Sequence, residues 1–192
     1  MRHLLYIIML SLLTACLGAA KPGPESAIYD FGLKNESAKI STTVDIGRIT
    51  AIDAVDHRRM RYRLEYQNPA QVHTYAQSRW SSSPAALLES KLRSMTNAAK
   101  QAHCGINLEI EAFDQVFASP GTSSSVISLH ATLYAKQPRR NLYSHIIQTS
   151  AAAPSADSKG GVAAMDSASS QAIRQILQWA DETAARTPEC AS

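Results

Sequence analysis

From Ile106 to Ser150 the chain keeps a period of two that suits strands and little else. Ile106, Leu108, Ile110 and Ala112 alternate with Asn107, Glu109 and Glu111, and Ile127, Leu129, Ala131, Leu133 and Ala135 alternate with Ser128, His130, Thr132, Tyr134 and Lys136. Successive strand side chains point to opposite sides of a sheet, whereas this spacing would scatter apolar groups around a helix. Ser119-Pro120-Gly121 breaks the first run, and Gln137-Pro138-Arg139-Arg140-Asn141 reads as a hairpin turn into a returning strand, Leu142 to Ser150. A sheet is therefore expected at the centre of the fold.

Shorter strands precede it. Tyr29-Asp30-Phe31-Gly32-Leu33 places apolar groups at alternate positions, and Val44, Ile46, Ile49 and Ile52 form a second strand whose period slips at Gly47, as at a bulge. Met60, Tyr62, Leu64 and Tyr66 alternate with Arg59, Arg61, Arg63 and Glu65, giving a half-buried strand with a charged outer side. Asn68-Pro69 turns the chain, and Val72 to Arg79 returns beside it. Two stretches carry a helical period instead. Ser83 caps and Pro84 opens a helix with Leu88, Leu92, Met95, Ala99 and Ala102 on one side, ended by Cys104-Gly105. After a small, polar loop from Ala151 to Gly161, the residues Val162, Met165, Ser169, Ala172, Ile176, Ala180 and Thr183 mark a closing helix. The expected fold class is α+β: a two-layer sandwich of one mostly antiparallel sheet with two amphipathic helices on one face. At 192 residues, 45% hydrophobic and 18% charged, the chain is large enough for one such domain and too apolar for disorder. That domain is expected at 27–186, with a tail at 187–192.

The N-terminus carries an address. Arg2 and His3 precede ten residues, Leu4 to Leu13, that are almost all apolar. A spanning helix needs roughly 20, so this segment has the size of a secretory signal rather than a permanent anchor. Leu13-Thr14-Ala15-Cys16 then matches the bacterial lipobox, in which small residues precede a cysteine whose sulfur takes a diacylglycerol. Residues 1–15 are expected to be removed and Cys16 to become the acylated first residue. Each buried methylene contributes about 0.8 kcal/mol, and two or three chains hold where one does not. Leu17 stands where a retention signal would place Asp, which points to the periplasmic face of the outer membrane. Residues 16–26 hold Gly18, Pro22, Gly23 and Pro24 and read as a flexible leash.

Composition and motifs exclude several functions. A net charge of +3 without a basic run argues against a nucleic-acid binder. No HExxH or close cysteine pair marks a metal site, and no cofactor is expected. Of the histidines, His130 and His145 are expected to face one another across the hairpin, without a third ligand. No Gly-x-Ser-x-Gly elbow or phosphate loop supports hydrolase or ATPase chemistry. Cys104 and Cys190 remain once Cys16 is acylated; an oxidising periplasm invites a disulfide, the alternative being two unpaired thiols, and helix packing decides which. Two basic clusters stand out, His57-Arg58-Arg59-Met60-Arg61-Tyr62-Arg63 and Arg139-Arg140. Separately they read as a solvated strand face and a turn tip; together they would form a patch for lipid headgroups or an acidic partner.

Tyr29-Asp30-Phe31-Gly32 after a short leash, Arg61-Tyr62-Arg63, Tyr75, and Arg79-Trp80 before a Ser-Pro helix start follow one another in a telling order. With the two-strand segment and terminal helix, this resembles the ABC-type transport auxiliary lipoproteins, partners of MCE-domain lipid transporters, over roughly residues 27 to 185. Ser81-Ser82-Ser83-Pro84 departs from the small residue, acid and Pro usual there, and Cys190 is not a family feature. The resemblance implies a non-catalytic subunit that contacts a periplasmic MCE-domain protein and leaves ATP hydrolysis to the ABC transporter subunits. It also marks Arg79 and Trp80 as a possible contact. A stand-alone periplasmic lipid-binding chaperone is the alternative.

Overall fold

The computed structural model describes residues 25–33, 39–97 and 102–190. The expected signal segment, Cys16 and the leash as far as residue 24 lie outside the described residues. The longest alternating runs make the longest strands. In chain order the elements are β1 (Ala27–Tyr29), β2 (Asp45–Ala51), β3 (Arg59–Leu64), β4 (His73–Trp80), α1 (Pro84–Met95), β5 (Cys104–Ser119), β6 (Thr122–Lys136), β7 (Arg139–Ala152) and α2 (Ser158–Ala185). Among the described residues the class is mixed α+β: a seven-stranded sheet with two helices.

The sheet runs β1-β4-β3-β5-β6-β7, with β2 also paired to β5. β2 lies along Gly105 to Ile110 and β3 along Asp114 to Phe117, so the two sit end to end on one edge of β5. Between them the chain stays tied to β5, with the Ile52 amide donating to the Ile110 carbonyl at 3.1 Å, and Val55 buried. The long pairings, β5 with β6 and β6 with β7, are antiparallel, as is β3 with β4. The pairings β1–β4, β2–β5 and β3–β5 are parallel. "Mostly antiparallel" thus describes the hairpin-linked pairs: β2 and β3 reach β5 only through long connections that include β4 and α1, and pairs joined in that way are free to run parallel.

Burial follows the alternation. On β6, Ser123, Ser125, Ile127, Leu129, Ala131, Leu133 and Ala135 are buried on one side of the sheet. Ile127 to Ala135 of that set join Ile106, Leu108 and Ile110 of β5, Leu88, Leu92 and Met95 of α1, and Ala168, Ala172, Ile173 and Ile176 of α2 in one core. The small alanines of α2 let that helix lie close to β6 and β7. Its start is built tightly: Asp157 accepts from the Gly160 amide at 2.7 Å and the Ser155 hydroxyl at 2.8 Å. Those two bonds, the first foremost, hold its carboxyl below the usual carboxylate range. A Cβ on Gly160 would collide with the Ser155 carbonyl oxygen, so glycine there answers a close approach. At the other end of α2, Asp181 accepts from Thr42 Oγ1, the Thr43 amide and Thr43 Oγ1, fastening the segment before β2.

Several boundaries differ from the sequence pattern. β1 ends at Tyr29; Asp30 Oδ1 then accepts from the Gly32 amide at 2.8 Å in a turn with Gly32 at φ 73°, and Phe31 packs on the core. The slip expected at Gly47 is present, between Ile46 and Ile49, where a Cβ on Gly47 would lie 2.8 Å from Tyr134 Oη. Ser83 sits at the start of α1 without a side-chain cap, and α1 stops at Met95 instead of reaching Cys104. There Thr96 leaves the helix to bridge Ile40, whose amide donates to the Met95 carbonyl at 2.7 Å. Cys104 accordingly opens β5 rather than ending a helix. The hairpin turn is shorter than expected, since β7 starts at Arg139, and β7 runs on to Ala152 so that the loop before α2 is correspondingly shorter.

Candidate functional site

The basic residues fall into separate settings. On β3, Arg61 Nε and Arg63 Nε donate to the two oxygens of Asp114 at 2.7 and 2.8 Å, across the parallel β3–β5 pairing. Asp114 and Arg61 keep only 4% and 9% of their side-chain surface exposed, so this cluster is mostly inside. Arg63 is more exposed and also donates to the Pro69 carbonyl at 3.1 Å, pinning the β3–β4 turn. These two expected surface arginines are therefore structural ion-pair partners. The signal that sequence reading missed is Asp114, which lies in an apolar stretch some fifty positions downstream.

Arg59 and Arg79 behave differently. They are exposed and stand directly opposite each other on antiparallel β3 and β4. Arg58 Nε donates to the Trp80 carbonyl at 3.0 Å, and these arginines, with Ser26, Tyr75 and Ser78, line a cleft of about 290 Å³. Trp80 is buried, its ring set edge-on to Phe31 and Phe113 at 5.9 and 5.4 Å between centroids. Tyr75 donates to Gln115 Oε1 at 2.9 Å; burial, aided by Tyr62 and Asp157, pushes its phenol up to about 12. Gln115 in turn donates to Ser123 Oγ and the Asp157 carbonyl, linking this end of the sheet to the start of α2.

The second basic cluster lies elsewhere. Arg139 covers the Tyr134 ring at 4.3 Å, and Arg140 pairs with Glu189. With Arg48, Asn107, Glu109, His130 and Thr132, Arg139 lines a broader cleft of about 670 Å³. Lys136, the cross-strand partner of Arg139, bonds the His103 carbonyl, while Arg61 sits beside Asp114. Eleven strand residues separate those two levels, about 36 Å, so the fold keeps the clusters at opposite ends of the sheet rather than in one patch.

His130 and His145 do not meet. The hairpin begins with Lys136 opposite Arg139 and Ala135 opposite Arg140, a register that would set them face to face. A slip between Leu133 and Tyr134 moves His130 opposite Ile146 and His145 opposite Ala131. A one-residue shift exchanges the two sides of a strand, and His145 ends stacked on Trp179 of α2 at 5.2 Å. Cys104 and Cys190 are joined in a disulfide with Cα atoms 5.2 Å apart. Between the helices, Lys91 pairs with Asp166 and lies over the Phe31 ring. Among the described residues, no group of His, Cys, Asp or Glu is arranged to hold a metal, and no helix is long and apolar enough to cross a membrane.

The arrangement defines a class of fold before any function: a mixed sheet on whose β5–β7 half a long terminal helix packs. A crystal structure of a Xanthomonas campestris protein assigned to DUF330 shares it, with a TM-score of 0.67 at 18% identity, covering 84% of this chain and 100% of that one. A second, described only as an uncharacterized protein, matches with a TM-score of 0.58 at 12% identity over 81% of this chain and 98% of that one. No family model matches the sequence, and no curated protein does.

Proposed function

We propose that this chain is a non-catalytic, membrane-tethered lipoprotein subunit of an ABC/MCE-type lipid transport system. It is held by an acylated Cys16 at the periplasmic face of the outer membrane and supports transfer between inner and outer membranes. The observation that carries the reading is the lipobox, Leu13-Thr14-Ala15-Cys16, with only ten residues between its cysteine and the first strand. So short a connection confines the domain to a membrane surface, where an adaptor works.

Two features of the domain support it. Side chains of both helices and the sheet fill one core, and the domain is read as a two-layer sandwich that leaves its other sheet side to a partner. A single core shared by both helices and the sheet favours the adaptor over the lipid-binding chaperone. Charged groups of the kind catalysis employs are engaged in structure: Asp114 with Arg61 and Arg63, Lys91 with Asp166, Asp181 with Thr42 and Thr43, Asp157 at the start of α2.

Pull-down from a detergent extract should recover an MCE-domain protein; recovery of unrelated proteins alone would count against the assignment. Growth with labelled palmitate should mark the protein, and Cys16→Ser should abolish the mark. Native mass spectrometry of the purified protein checks the chaperone: a non-covalently held lipid would favour it.

A further inference from the structure

We infer that the cleft at the root of the leash, bounded by Arg58, Arg59 and Arg79, docks on phosphate headgroups of the membrane that holds the Cys16 anchor. This rests on the lipoprotein reading and adds which surface of the domain touches the bilayer. Ser26, the residue before β1, itself lines the cleft. Ten Cα–Cα steps lead from Cys16 to Ser26, and a chain of that length spans at most about 35 Å. The cleft is thus the part of the domain nearest the anchor along the chain.

Its chemistry fits an anion. Arg59 and Arg79 are direct cross-strand partners, and like charges so placed destabilise a sheet unless something negative lies against them. Among the described residues no carboxylate pairs with either, whereas the next two arginines of β3 share Asp114. The bond from Arg58 to the Trp80 carbonyl fixes a third guanidinium at the rim. Planar guanidinium groups match phosphate oxygens in a way an ammonium does not. The other basic end of the sheet does not include Ser26 in its cleft, and its Arg139 already lies on an aromatic ring. Near an anionic leaflet each basic group shifts partition roughly fivefold.

The test uses the full lipidated protein in nanodiscs of phosphatidylcholine alone or mixed with phosphatidylglycerol. Amide hydrogen exchange across β3 and β4 should slow about tenfold on the anionic discs. Arg59→Gln with Arg79→Gln should abolish the difference, with circular dichroism confirming the fold; the wild-type comparison stands without the variant. Equal exchange on both discs overturns the inference. So does equal slowing when inorganic phosphate is added to phosphatidylcholine discs, which assigns a free-phosphate site, or slowing only when an MCE-domain protein is added, which assigns a protein contact. Intact-mass measurement separates the two failures: a chain lacking acyl mass overturns the anchor and this placement together, while an acylated chain with equal exchange overturns the headgroup contact alone.

Discussion

Asp114 carries two arginines on a single carboxylate, and only Arg63 of the three retains appreciable exposure. Removing one partner of a buried ion pair leaves an uncompensated charge, which costs more than the pair itself contributes. Asp114→Asn should therefore lower stability by about 3 kcal/mol, read by urea denaturation; a loss below about 1 kcal/mol, the range of exposed pairs, would mean solvent reaches Arg61. Tyr75 sets a second residue-scale expectation. Its phenol is raised from 10.0 to about 12, so below pH 10 folded and unfolded chains both keep the proton and nothing changes. Between those values the unfolded chain ionises first, and stability falls as pH rises. Tyr75→Phe should flatten that alkaline slope and remove a phenol that titrates near 12 from an ultraviolet titration. The charged side of β3 was legible from Arg59, Arg61 and Arg63 alternating with apolar residues. The division of labour among them was not, because it depends on an acid that reaches β3 only through sheet pairing.

Elements were legible where one period persisted and lost where a tertiary contact outweighed it. β6 alternates without interruption and was read correctly over its apolar half. The break at Ser119-Pro120-Gly121 marked the end of β5, but its alternation was traceable only as far as Ala112, because a register shift between Ile110 and Ala112 reverses it, and Phe113 and Phe117 then continue the buried side. The end of α1 was invisible because Ala99 and Ala102 continue a helical spacing, while the bridge from Thr96 to Ile40 lies fifty-odd residues away in sequence. The same logic yields a prediction for α2. Replacing a helical glycine with alanine ordinarily gains about 1 kcal/mol. At Gly160 the new methyl would meet the Ser155 backbone oxygen, which cannot swing aside as a side chain can. Overpacking of this kind costs about 1–3 kcal/mol, so Gly160→Ala should lower the thermal midpoint despite its better propensity. Gly121 in the β5–β6 turn has nothing within 4 Å, and Gly121→Ala should change stability by no more than about 0.5 kcal/mol.

At the scale of the molecule, the disulfide and the basic cleft occupy opposite ends of the sheet, and they should respond independently. Cys104 opens β5 and Cys190 follows α2, so the bridge fastens the end of the terminal helix to the central strand across a separation of 86 residues. In the chain-entropy model a loop of that size stabilises by about 4.5 kcal/mol, chiefly by restricting the unfolded chain. Neither the pairing nor its reach was legible while Cys104 was taken as a helix end, since helix-to-helix packing would then have decided the sulfur distance. With Cys104 on β5, the Arg140–Glu189 pair holds the tail beside the same hairpin end. Reduction should lower the urea midpoint of the wild-type protein, while a Cys104→Ser, Cys190→Ser variant should start at the lower midpoint and ignore reductant. The tail and the last turns of α2 should gain the most hydrogen exchange, with the β3–β4 end unchanged and its preference for anionic discs retained. If the variant lost that preference along with its stability, the two ends would be coupled through the sheet, and the headgroup cleft would have to be treated as a property of the whole fold rather than of three arginines.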